Sequence, residues 1–114
     1  MFGRLFGRRR KNENSVAFRR EMAKKLDGRH IKYVTERTDS DDFVIGRDGA
    51  LIVKDDCLLV YSSANVVFRG RIDELRMSEL LSLDGVIIEG SDIEHDGRHR
   101  KVIAYYTYYL KSTD

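Results

Sequence analysis

Apolar residues recur along this chain with two different periods, and the change of period divides it. Phe18, Met22 and Leu26 recur at every fourth position, forming one narrow stripe that a helix can lay against a sheet. The stripe predicts a helix over 14–27. Asn14 or Ser15 can cap its start, Gly28 can end it, and Glu21 precedes Lys25 at the favourable helical spacing. From His30 the period shortens to two. "HIKYVTER" reads as a strand over 30–37, and "TDSDD" breaks it. The stretch from Phe43 to Ile72 then reads as a meander with strands over 43–46, 50–54, 57–61 and 66–71. "RDG", "KDD" and "SSAN" supply its turns. "DELRMSELLSL" returns toward a helical period through Leu75, Glu79 and Leu83, so a short second helix is expected over 73–83, capped by Asp73. A final hairpin is expected over 85–93 and 99–110, turned at Asp96-Gly97.

The last of these strands contains "VIAYYTYYL", the densest apolar run and the home of four of the six tyrosines. Side chains alternate between faces along a strand. Val102, Ala104, Tyr106, Tyr108 and Leu110 make one unbroken apolar face. Ile103, Tyr105, Thr107 and Tyr109 make the other, with Lys101 and Lys111 at its ends. The even face is expected inside and the odd face partly exposed. Tyr105 and Tyr109 are therefore the candidate partner-binding residues. The competing reading has the odd face buried as well, beneath the N-terminal helix.

Charge adds an asymmetry that the apolar pattern does not show. Residues 1–37 carry 12 Lys/Arg against 4 Asp/Glu, and residues 38–114 carry 9 against 15. The expected organisation is a flexible basic arm, 1–12, on a single domain, 13–114. In the arm, Arg4, Arg8, Arg9, Arg10 and Lys11 alternate with Phe2, Leu5 and Phe6. Guanidinium groups bind phosphate in a fork, so the arm is a candidate site for nucleic acid or an anionic membrane surface. Pairing with the acidic body is the alternative. Asn12, Glu13 and Asn14 follow the arginines where an export signal would have an apolar run. With a single cysteine, Cys57, and no apolar stretch of membrane-spanning length, a cytoplasmic address is expected.

Catalytic chemistry has few places to reside. His95 and His99, with Glu94 nearby, have a spacing that can share a metal on a helix, but Asp96-Gly97 between them argues for a hairpin turn. Cys57 follows Asp55 and Asp56, which disfavour a thiolate, so it reads as a structural thiol. The acidic clusters lack calcium-loop spacing, and no glycine motif matches a phosphate loop. No enzyme, metal or cofactor is expected.

"SLDGVIIEG" at 82–90 followed by "VIAYYTYYL" at 102–110 resembles a group of small proteins from anaerobic Firmicutes. That resemblance implies no activity and no site. The meander is similar to a bacterial pleckstrin-homology-like barrel, although those folds end on a capping helix. Taken together, the chain is expected to be an α+β protein. It has an N-terminal helix, an antiparallel meander sheet or partial barrel, a short helix and a final β-hairpin. Its expected business is non-catalytic binding of a protein partner or an adaptor role, with anion binding through the arm as the alternative and homo-oligomerisation open.

Overall fold

The computed structural model describes residues 15–107. One helix, α1 (Val16–Leu26), precedes seven strands: β1 (His30–Arg37), β2 (Asp42–Lys54), β3 (Cys57–Ser62), β4 (Asn65–Arg71), β5 (Arg76–Glu79), β6 (Gly85–Asp92) and β7 (Arg98–Tyr105). A single 3-10 turn, Ile72–Glu74, links β4 to β5. All pairings are antiparallel, in the spatial order β4-β3-β2-β1-β7-β6-β5. The first strand thus pairs with the last, and the two edge strands, β4 and β5, are joined by the 3-10 turn. The sheet curls without closing: no ladder joins β4 to β5 or β6. The architecture is mostly β with one helix. Among the described residues no helix is long and apolar enough to cross a membrane.

The N-terminal half follows its local signals closely. Ser15 Oγ accepts from the Phe18 amide at 3.0 Å, which selects Ser15 as the N-cap. Gly28, just past the helix, takes φ +85°, a left-handed conformation that glycine adopts without strain. Its amide donates to the Leu51 carbonyl, and the Leu51 amide donates to the Arg29 carbonyl, so the helix exit is stitched directly to β2. Met22, Ala23 and Leu26 enter the core beside Leu51, Val60, Phe68 and Val102. Ser15→Ala is expected to cost about 1 kcal/mol, the usual worth of an N-cap hydroxyl, read as a lowered thermal midpoint.

Three expectations fail. The second helix does not form. Its residues give the 3-10 turn and then β5, because Met77 faces the core between exposed Arg76 and Ser78, a period of two. Leu75 is buried while Leu81 is fully exposed and Leu83 sits at φ +64°, so these leucines never shared one face. Asp73, expected as a cap, instead receives a bidentate pair from Arg20 at 3.0 and 2.7 Å, tying α1 to the 3-10 turn. The strands expected over 43–46 and 50–54 are one strand, β2, because Asp48, at φ 49°, lies within a ladder to β1 that continues past it rather than at a reversal. There Ser62 Oγ takes the Arg47 amide and donates to its carbonyl, standing in for the next residue of β3. Last, β7 ends at Tyr105 instead of running to 110. The Tyr106 amide turns to the Asp84 carbonyl at 2.7 Å.

Candidate functional site

Strand register fixes which side chains share a face. Val34, Ala104 and Val86 align across β1, β7 and β6, as do Val102, Ile88 and Met77 across β7, β6 and β5; all are buried in the core that also receives α1. The helix packs on β2, β5 and the 3-10 turn, on the same side of the sheet as the even face of β7. The odd face is turned away from it, so the reading that placed the odd face under the helix is corrected.

That outer face carries three rows. Arg47, Tyr33, Tyr105 and Gly85 align across β2, β1, β7 and β6. Beside them run Val44, Thr35, Ile103, Ile87 and Ser78. A charged border follows, with Lys101, Glu89 and Arg76 in register on β7, β6 and β5, and Arg37 bound to Asp42 across the start of the β1–β2 hairpin at 3.0 Å. The Tyr33 and Tyr105 rings stack with centroids 4.5 Å apart at an interplanar angle of 13°. Both are half-buried, and Val44 is 45% exposed at the edge of the platform. The odd face is thus partly exposed, as expected, with one exception. Ile103, between Thr35 and Ile87 in its row, is fully buried. Next to it the Thr35 hydroxyl is buried and finds no hydrogen-bond partner among the described residues.

On the inner face, the same alternation runs on into charge. Residues 92 and 100 continue the parity of Ile88 and Val102, which carries Asp92 and Arg100 to the mouth of the curled sheet. Asp92 is 0% exposed. It accepts from the Arg69 amide at 3.1 Å, the Glu94 amide at 3.0 Å and Arg100 Nη1 at 2.6 Å, and bonds His95 Nδ1 at 2.6 Å. Arg100 also grips Glu36 with two nitrogens, at 3.0 and 2.8 Å, and donates to the Val67 carbonyl. Burial raises the Asp92 pKa, but the Arg69 amide, His95, Arg100 and the Glu94 amide together outweigh it, leaving it below the usual carboxylate value. The hydrogen bonds from Arg100 likewise hold Glu36 low.

The two histidines go separate ways. His95 binds Asp92 in the turn, and His99 binds Glu89 across the β6–β7 ladder at 3.0 Å, which lowers the Glu89 pKa. They converge on no common centre, and no cluster of three or more metal-ligating side chains occurs among the described residues. Cys57 is buried and unpaired with another cysteine. A groove of about 640 Å³ opens at the sheet mouth, lined by Glu36, Arg37, His99, Arg100 and Lys101 among others, with most of these charges already matched by neighbours. A smaller one of about 180 Å³ lies between α1 and the 3-10 turn, floored by Ala23, Val53 and Ile72.

Of the residues picked out from sequence, Tyr105 lies on the outer platform. Tyr109 and the arm residues Arg4, Arg8, Arg9, Arg10 and Lys11 lie outside the described residues. Sequence reasoning missed Tyr33, Thr35 and Ile87, whose place beside Tyr105 depends on β1 pairing with β7. It also missed the Asp92–Arg100–Glu36 cluster. Comparison with protein-family models, with curated proteins and with solved structures gives no match.

Proposed function

We propose that this chain is a non-catalytic protein-binding module and that a partner docks on the outer face of β1, β7 and β6. The observation that carries the reading is the half-exposed Tyr33–Tyr105 stack beside the Val44–Thr35–Ile103–Ile87 row, on the face turned away from the core. Tyrosine contributes large contact area at modest entropic cost and is enriched at protein interfaces. The border favours a particular partner. Arg47, Arg37, Lys101 and Arg76 outnumber Asp42 and Glu89, so an apolar segment flanked by carboxylates complements this face. Engagement of His95 and His99 by separate carboxylates supports a role without catalysis. The buried Cys57 thiol supports a reducing, cytoplasmic setting. The curled meander supports likeness to pleckstrin-homology-like barrels as a reading of the fold, with the helix leading the sheet, and no lipid binding is inherited from it.

The test is site-specific photocrosslinking in cells, with the reactive residue placed at Arg47, at Lys101, or at Asp55 in the β2–β3 turn as control. One protein species crosslinked from both platform positions and absent from the control supports the reading. Equal crosslinking from all three removes it. Tyr33→Ser with Tyr105→Ser is expected to abolish that crosslink while costing about 1–2 kcal/mol of stability, the worth of an aromatic pair on a half-buried face. Collapse of the fold would instead make the stack part of the core.

A further inference from the structure

We propose that the contact between β4 and the β6–β7 turn is an acid-sensitive latch, so that the curled sheet has a second state in which this seam alone is open. This inference concerns the sheet mouth and is independent of the outer platform.

Strand β4 is an edge strand, with β3 on one side and no ladder on the other. Its second edge is nevertheless occupied. The Arg69 amide donates to Asp92 Oδ1, the Ile93 amide donates to the Arg69 carbonyl at 2.8 Å, and Arg100 Nη1 donates to the Val67 carbonyl at 3.0 Å. One backbone bond and two side-chain bonds thus stand where a barrel would have a strand pairing. Both side-chain bonds come from one buried ion cluster. Among the described residues the charged groups that face it are Glu36 from β1, Arg69 from β4, Glu94 and His95 from the turn, and Arg98 and Arg100 from β7.

The cluster works only with its carboxylates ionised. A protonated Asp92 exchanges an acceptor for a donor while facing three N–H donors and the His95 ring nitrogen, and it leaves buried Arg100 with Glu36 as its remaining counter-ion. The neighbouring β1–β7–β6 ladders hold their core through Val34, Ala104, Val86 and Val102, none of which titrates. Acid therefore strikes the seam before the sheet. The opening also has a boundary. Leu75 is buried in a notch where Gly70 of β4 and Gly90 of β6 carry no side chain, so the far end of β4 is held by apolar packing. The sign follows from the carboxylates. Both are held below their usual values, so their contribution is complete above the unfolded carboxylate range, roughly pH 4, and is lost as pH falls through the lowered values.

Hydrogen exchange read by mass spectrometry on the full chain, corrected for intrinsic rate across a pH series, tests this. Amides of 65–69 and 93–97 are expected to lose protection at a higher pH than those of 31–35 and 102–105. At pH 7, Asp92→Asn is expected to lower protection in 65–69 by about tenfold or more while 102–105 changes by less than about threefold. If that variant does not fold, Glu36→Gln, which removes only the outer half of the cluster, is read the same way. Simultaneous loss in all four segments, or no preferential loss in 65–69, overturns the latch.

Discussion

Arg100→Leu is expected to be among the most damaging substitutions in this protein, lowering unfolding free energy by about 3–5 kcal/mol. The guanidinium is 8% exposed and the Asp92 side chain it holds is 0% exposed. Deleting the cation strands one buried carboxylate and leaves Glu36 with its bidentate partner gone. It also leaves the Val67 carbonyl without its donor. Lysine does not restore the site. Its ammonium can neutralise charge, but it cannot present a planar fork to Glu36 and still reach Asp92 and a carbonyl from one position. The comparison that isolates the effect is Arg20→Ala, which removes an equally well-formed bidentate pair with Asp73. Both partners there are exposed, at 58% and 43%, and solvent screens the pair, so that loss should be far smaller. Chemical denaturation of the two variants checks the ranking. Equal losses would mean that burial does not set the worth of the Arg100 cluster.

The same residues mark where reading the sequence works and where it stops. Helix α1 was legible because the stripe, the cap and the stop all lie within a dozen or so residues and agree. The tight turns at Asp55-Asp56 and Asp96-Gly97 were legible because those residues tolerate the positive φ found there. Asp48-Gly49 misled for the same reason: a positive φ inside a strand and a reversal between strands ask for the same residue types. "DELRMSELLSL" misled because its leucines answer to different neighbours. Leu75 fills the notch at Gly70 and Gly90, whereas Leu81 faces solvent. The Tyr33–Tyr105 stack joins residues from opposite ends of the domain, and no local pattern encodes the β1–β7 pairing. The ion cluster did leave a trace. Extending the even-numbered core face of β7 back from Val102 places Arg100 inside, and extending that of β6 forward from Ile88 places Asp92 inside. A charged residue at a core parity is a signal for a buried pair, but here both residues sit at strand ends beside the Asp96-Gly97 turn, where charge is ordinarily solvated.

Gly49→Ala is expected to be as severe, by a different mechanism. Gly49 opposes Ser62 where β3 begins its turn away from β2. A Cβ built on Gly49 would overlap the Tyr61 carbonyl oxygen and lie 2.5 Å from the Tyr61 carbonyl carbon. Those atoms belong to backbone, so no rotamer change relieves the clash, and β2 and β3 must separate. Separation breaks the ladder that seats Leu51 against Val60, two side chains fully buried in the core. The expected loss is about 3 kcal/mol or more, a large part of the 5–15 kcal/mol typical of a domain. Gly70→Ala provides the graded control. Its Cβ would meet Leu75 Cδ2 at 2.5 Å, the end of a flexible side chain that can rotate at a cost of about 1–2 kcal/mol. Thermal and urea denaturation should therefore rank Gly49→Ala well below Gly70→Ala, with soluble yield falling in the same order. The reverse ranking would show that β3 yields at Tyr61 more easily than the core yields at Leu75. The close approach of β2 to β3 would then not be what requires glycine at position 49.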